Sequence, residues 1–268
     1  MMTIPRVLLG AAILSALSIP LTAQQAPTGY EHVQCVKINP GKTSAAESFI
    51  AGASHKLGQS LVDSGHYANT FVLRTEMPRG TDAECDYLFV ALFSGLPPAA
   101  LSQKEVTAAL QKADVPMTAE QLYAKEDELG KLVTDDILQT QLRVGGAKKG
   151  DYLVVNSMSA PDAGACVAAQ KKTWQPVEEE MVKAGKTSGW VVNAKQFPRG
   201  TKDGNVVSSV DIYPTWDAFL NEYSSISSAW RKVHPDMDFN STMQQFDKQC
   251  TITHTVLYKV VDATTPAK

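Results

Sequence analysis

The 268-residue chain is poor in aromatic residues, 7% of the total, and has no basic surplus, with 25 Lys and Arg against 28 Asp and Glu. Without that surplus there is little to neutralise a phosphate backbone, which argues against a nucleic-acid binder. Only four cysteines occur, none in a CxxC or CxH spacing, so the pattern of a structural zinc site is missing. There is no HExxH pair, no Gly-x-Ser-x-Gly elbow and no Walker-type glycine loop, which leaves nucleophilic, zinc-hydrolytic and phosphate-cradling chemistry without a signature. Past the first two dozen residues no apolar run is long enough to span a bilayer. Disorder is excluded by what is present: 44% hydrophobic residues with nearly balanced charge.

The first segment carries one positive charge at Arg6, an apolar stretch from Val7 to Leu21, and a close at Leu21-Thr22-Ala23 before the polar Gln24-Gln25. This pattern predicts a cleavable secretory signal peptide over residues 1–23. Ser15, Ser18 and Pro20 interrupt the run and argue against a permanent anchor. The expected destination is the periplasm or the exterior, where an even set of cysteines favours disulfides. Four cysteines allow three pairings, and spacing alone does not choose among them.

The strongest signal is internal. Pro-Arg-Gly-Thr stands at 78–81 and again at 198–201, and its flanks align without gaps from Gly65 and from Gly185. Each copy is preceded by a strand (Tyr30 to Ile38; Tyr152 to Met158), a proline-containing turn and a helix capped by Thr43 or Ser44 in one case and Asp162 in the other. A strand before the motif (Thr70 to Glu76; Trp190 to Gln196) and an antiparallel partner after it (Asp86 to Phe93; Val206 to Tyr213) follow. Polar helical stretches broken by Pro116 and Pro235 come next, then a closing strand in which Ile137, Thr140 and Leu142 are matched to Ile252, Thr255 and Leu257. The order β-α-β-β-α-β, twice over, predicts an α+β protein of two fused ferredoxin-like repeats, residues 24–146 and 147–268. Strands such as Tyr87-Leu88-Phe89-Val90-Ala91-Leu92-Phe93 are apolar on both faces, so helices should cover one side and the other repeat's sheet the other.

This arrangement resembles the dimeric α/β-barrel superfamily, which includes antibiotic-biosynthesis monooxygenases, EthD-like and NIPSNAP-like proteins and the haem-binding chlorite dismutases. The resemblance covers nearly the whole chain after the leader and rests on element order and repetition. It implies an intramolecular barrel formed by one chain. In that topology the end of the first strand meets the start of the third, which places Cys35 beside Cys85. The start of the second repeat's helix meets its last strand, which places Cys166 beside Cys250. One staple in each repeat is therefore expected, the alternative being four free buried thiols.

Candidate site residues have two readings each. Arg79 and Arg199, at the repeated motif, are either carboxylate forks or parts of tight hairpin turns set by proline and glycine. His254 shares a strand face with Ile252, Val256 and Tyr258, so it is expected to point inward, as a proton shuttle, a haem ligand or a hydrogen-bonded core residue, with Gln139 as its counterpart in the first repeat. His32, beside Gln34, is a second such candidate, while His55, His66 and His234 read as surface or loop residues. Trp174, Trp190, Trp216 and Trp230 all fall in the second repeat and mark either a ligand pocket, to which Asn156, Asn193 and Tyr213 would add polar groups, or ordinary packing. Glu178-Glu179-Glu180 reads as a solvated helix face, and Lys148-Lys149-Gly150 as the linker between repeats.

The function expected from these features is the binding of a small apolar or aromatic ligand in a barrel pocket lined by His254, His32, Asn193, Arg199 and Trp190. Neither metal nor resident cofactor is expected; the partner is a small-molecule ligand, with no nucleic acid, and the chain is a monomer with a pseudo-dimeric barrel whose further oligomerisation the sequence leaves open. The alternatives are an oxygenase-like enzyme that works without a bound cofactor, with His254 as base, and a haem-binding protein.

Overall fold

The computed structural model describes residues 29–200 and 207–266. The predicted signal peptide lies outside the described residues.

Eight strands close into one antiparallel barrel in the order β1-β3-β2-β8-β5-β7-β6-β4. The N-terminal half contributes β1 (Gly29–Ile38), β2 (Asn69–Met77), β3 (Tyr87–Phe93) and β4 (Gly130–Gly145). The C-terminal half contributes β5 (Tyr152–Ser159), β6 (Gly189–Phe197), β7 (Val207–Tyr213) and β8 (Thr251–Thr264). Within each half the neighbours run last, first, third, second, and the halves meet at two seams, β2 with β8 and β4 with β6. Alternation along the strands sends one set of side chains into the lumen and the other outward under the helices. Leu73, Val90, Leu92, Leu153, Val191, Ile212, Tyr258 and Val260 fill the lumen, as an eight-stranded barrel requires.

The helices pack on the outside. In the N-terminal half, α1 (Thr43–Phe49) runs through a π-helical segment (Ile50–Ser54) into α2 (His55–Asp63), and α3 (Gln103–Lys112) and α4 (Ala119–Leu129) follow β3. Thr43 is the first helical residue and not the cap, because the chain enters from Lys42 with no side-chain cap bond. The two later helices are closed at their N-termini by full capping boxes, Ser102 with Glu105 and Thr118 with Gln121. In the C-terminal half, α5 (Ala163–Thr173) is capped by Asp162 as the sequence predicts, and the chain bends at Trp174 into α6 (Gln175–Lys183). The remaining segments are α7 (Trp216–Leu220), α8 (Glu222–Val233) and α9 (Phe239–Asp247), with Pro235 between the last two.

Cys35 is bonded to Cys85 and Cys166 to Cys250, the pairing that the repeat topology implies. The closing strand, however, is matched differently from the sequence reading. Ile137 lies opposite His32 on β1, and Leu257 lies opposite Val154 on β5, so Ile137 corresponds to Leu257 and not to Ile252. His254 pairs with Ser157, near the start of β8, and its structural counterpart is Thr134, not Gln139. The two closing strands are offset by 120 residues, as the flanks of the repeated motif are, whereas matching Ile137 to Ile252 sets them 115 apart; the bulges at Cys35/Val36 and Ser157/Met158 fall at equivalent places and leave that offset unchanged.

The β4–β6 seam ends in a glycine pair, Gly145 opposite Gly189. Gly145 has φ +62°, and a Cβ there would sit 2.2 Å from the Ser188 carbonyl oxygen. Gly185 has φ +66° with open space around it. Gly145→Ala is therefore expected to lower Tm by clearly more than Gly185→Ala, with about 2 kcal/mol or more for the former against about 1 for the latter. Thermal melts of the two variants check this, and equal shifts would show that backbone conformation alone matters at the seam.

Candidate functional site

Between the outer face of the N-terminal half-sheet and its helices lies a cleft of about 590 Å³, adjoined by a second hollow of about 370 Å³. Gln34, Ser54, Phe89, Tyr123 and Glu126 line both. Its floor is made by helix-facing residues of β1, β2 and β3, including His32, Gln34, Val72, Phe89, Ala91 and Phe93. Leu57, Leu61 and Leu122 form an apolar roof, and His66, Tyr67 and Tyr123 are placed around it. The π-helical segment supplies Ser54 to the wall, at the kind of helix irregularity that accompanies functional sites.

His32 Nε2 is bonded to Asp135 Oδ1 on this floor. The register explains the pair: Asp135 lies opposite Gln34, one step along the same face from His32, so the two are diagonal neighbours across β1 and β4. An ionised carboxylate only accepts, so Nε2 carries the proton and Nδ1 is left as the basic nitrogen. Glu126 is open at one edge but its carboxyl is recessed in the wall, and desolvation together with the neighbouring Asp127 charge pushes its pKa up to about 7. Asp262 completes the lining and accepts from His55 Nδ1 at 2.8 Å. Among the described residues the lining includes carboxylates and histidines but no Lys or Arg.

The corresponding space in the C-terminal half is filled. Trp190 is 2% exposed and packs with Leu142, Met158, Val192, Phe246 and the Cys166–Cys250 bridge. Trp230 packs with Val177, Met181 and Ala229, and Trp174 contacts it edge-on at 6.1 Å. Trp216 stacks beside Tyr152 and Phe219. The tryptophans are thus packing residues, and Trp190 is removed from the expected ligand set, because large rings occupy the volume that the other half leaves open. Under them sits an acidic cluster. Asn156 Nδ2 donates to Asp211 Oδ2 at 2.9 Å, and Asp211, pushed up to about 7 by desolvation and by Glu222, neighbours Glu178 and Tyr213. Glu178 is 2% exposed, which corrects its reading as a solvated residue; Glu180 of the same run does reach outward, to Lys232.

The other expected site residues are scattered. His254 is exposed at one end of the barrel, near Thr75, Glu84 and Tyr258: it keeps the strand face of Val256 and Tyr258, but it pairs with Ser157 at the last regular rung of the ladder and so sits at the mouth and not in the interior, while the bulge beyond it takes Ile252 off that face. Arg199 folds back on its own turn, its Nε donating to the Gln196 carbonyl at 2.6 Å and its Nη2 to Gln196 Oε1 at 2.5 Å. Arg79 does the same with Glu76, its Nε donating to the carbonyl at 3.0 Å. Both arginines therefore tie down hairpin connections, at equivalent places in the two halves. Asn193 points into the barrel lumen, where its Nδ2 donates to Glu31 Oε2 at 3.0 Å. His66 lines the cleft although it reads as a loop residue. Asp135, Glu126 and Tyr123 went unremarked in the sequence, where Asp135-Asp136 on a strand was the one available signal.

Among the described residues no group of three His, Cys, Asp or Glu side chains is placed to hold a metal ion, and no helix is long and apolar enough to cross a membrane. No family model matches the sequence, and no curated protein matches it. Solved structures do match in fold. A candidate monooxygenase from Fusobacterium nucleatum aligns at a TM-score of 0.56 and 10% identity, over 90% of this chain and 96% of that one. An anthrone oxidase-like protein aligns at 0.51 and 12% identity, over 91% and 95%. A haem-binding protein from Thermus thermophilus aligns at 0.50 and 9% identity, over 88% and 92%. The chain has the fold of the dimeric α/β-barrel proteins.

Proposed function

We propose that this protein binds a neutral, largely apolar molecule carrying one hydroxyl in the helix–sheet cleft of its N-terminal half, with His32, aligned by Asp135, accepting the hydroxyl proton. The observation that carries this reading is the His32–Asp135 pair on the floor of a cleft of about 590 Å³ roofed by Leu57, Leu61 and Leu122. A carboxylate that fixes the tautomer and tilt of an imidazole makes it a better oriented base. Among the described residues the lining has no Lys or Arg and sets Asp135 and Glu126 against the space, which disfavours anionic groups, the propionates of haem among them; Asp262 is already paired with His55 and Lys149.

The same pair favours a second reading, an oxygenase-like enzyme with no bound cofactor. Removing a proton from an activated C–H leaves an electron-rich carbon that reacts with dioxygen directly. A methylene would then become a carbonyl, with water as the other product.

The two halves are read as copies of one ferredoxin-like unit, residues 24–146 and 147–268, of which the first keeps its cleft and the second has filled it. Support comes from the shared strand order and from the two arginines bonded alike to the carbonyl three residues back. Export belongs to the same reading, since two disulfides suit an oxidising compartment.

1-Naphthol tests the reading, with naphthalene as the control that lacks the hydroxyl. Fluorescence titration should show 1-naphthol bound at least tenfold more tightly than naphthalene, with most of that preference lost in His32→Ala while circular dichroism stays unchanged. If His32→Ala binds both like the unaltered protein, His32 has no role in the cleft. Anthrone with an oxygen electrode separates the two readings: uptake that falls in both His32→Ala and Asp135→Asn supports the enzyme, and no uptake leaves the binder.

A further inference from the structure

The barrel lumen holds a second cavity, of about 170 Å³, separated from the cleft by the sheet itself. Its wall is mostly aliphatic, with Val33, Val155, Val191 and Val210 among the side chains that line it, and Glu31, Asn69, Arg143, Asn193 and Ser208 supply its polar part. Two of these, Glu31 and Asn193, are bonded to each other. Glu31 is held from three sides: Asn193 Nδ2 donates to Oε2 at 3.0 Å, Thr140 Oγ1 donates to Oε1 at 3.3 Å, and Arg143 Nη2 lies 3.5 Å from Oε1. These bonds fix the orientation of the Asn193 amide, because turning it over would set its oxygen against the Glu31 carboxylate. Asn193 is 1% exposed, and its Oδ1 has no hydrogen-bond partner among the described residues. A buried acceptor left unpaired is costly, so a donor brought to it gains about tenfold or more in affinity over an isostere without one.

We infer that the lumen is a second ligand site, for a single-ring aromatic molecule with one O–H or N–H donor, and that Asn193 Oδ1 is its acceptor. The size fits, since a dry aliphatic cavity of ~150 Å³ accommodates benzene. The chemistry fits as well, with apolar walls for the ring and one fixed acceptor for the donor. Glu31, Thr140 and Arg143 act through Asn193 as positioning residues. The site is independent of the proposed cleft function, because the polar groups it uses, Glu31 and Asn193, do not line the cleft, although Phe71 and Val90 border both spaces.

Phenol and toluene are the probes, read by methyl NMR on the full chain. Phenol should shift the methyl signals of Val33, Val155, Val191 and Val210 and bind there at least tenfold more tightly than toluene. Asn193→Leu should remove that preference while leaving toluene bound. Val210→Phe should abolish the lumen shifts for both probes. Leu57, Leu61 and Leu122 report the cleft in the same spectra, so a failure there is distinguishable from a failure in the lumen. Absence of lumen shifts up to the solubility of either probe overturns the site, and equal affinity for phenol and toluene overturns the role of Asn193. A Val210→Phe protein that no longer folds would be replaced by Val155→Leu, which narrows the cavity less and should weaken both probes in parallel.

Discussion

Replacing both cysteines of either bridge by alanine is expected to lower Tm by roughly 10 °C. The bridges close loops with sequence separations of 50 and 84 residues. Chain-entropy reasoning assigns about 4 and about 4.5 kcal/mol to loops of those lengths. For a domain of this size each kcal/mol moves Tm by about 2–4 °C. The loops do not overlap in sequence, so the two losses should add. Removing both would take away a large part of the ~5–15 kcal/mol that holds a domain folded. The second bridge also sits in packing: Cys166 and Cys250 are each 0% exposed, against Trp190 and Phe246, so its loss leaves a void as well. Calorimetry of the two double variants checks the effect, and unchanged Tm values would mean that the unfolded chain is already as compact as the bridged one. In native buffer the buried pair should also resist a water-soluble reductant until the protein opens.

The acidic cluster of the C-terminal half predicts an unusual direction of pH dependence. Asp211 is pushed up to about 7 from 3.8, and burial raises Glu178 and Glu222 as well. A carboxyl whose folded pKa is raised stabilises the fold while it stays protonated. Its contribution is complete below the unfolded value and is lost as pH climbs through the folded one. For Asp211 that window runs from about pH 4 to about pH 7, and a shift of about three units corresponds to about 4 kcal/mol. About two of those three units lie between pH 5 and pH 8, so thermal melts at fixed ionic strength should show Tm falling by roughly 5–10 °C over that range. Asp211→Asn keeps an acceptor for Asn156 and removes the charge, so it should flatten this slope and raise Tm at pH 8. A flat profile in the unaltered protein, or an Asn variant that melts lower at pH 8, would show that the cluster is solvated in solution.

The barrel was legible in the sequence because the same order of strands and helices reads twice along the chain, and Pro-Arg-Gly-Thr at 78–81 recurs at 198–201. The disulfides followed from that order. The site was less legible for two physical reasons. Contact between His32 and Asp135 depends on a register between residues about a hundred apart in sequence, and the bulge at Cys35/Val36 shifts it along β4. Whether a helix–sheet space is open or filled also depends on summed side-chain volume, and not on any motif. Four tryptophans in one half looked like a pocket wall, yet their bulk is what closes that half, while the plainer half with Leu57, Leu61 and Phe89 keeps the room. Glu178 failed for a related reason: three consecutive glutamates on a helix fan out over about 200°, so they do not share one face, and Glu178 falls on the buried one.

The two seams, β2 with β8 and β4 with β6, join the halves of a single chain. Where two separate subunits build such a barrel, every seam is an equilibrium, and dilution bares four strand edges ready to pair with strangers. Here the linker through Lys148, Lys149 and Gly150 makes closure a first-order event, so melting should be independent of protein concentration. Covalent union also frees the halves from having to be identical. With one cleft open and its counterpart packed shut, each barrel offers a single vacancy of that kind, and saturation of the cleft should follow a simple hyperbola with no cooperativity between halves.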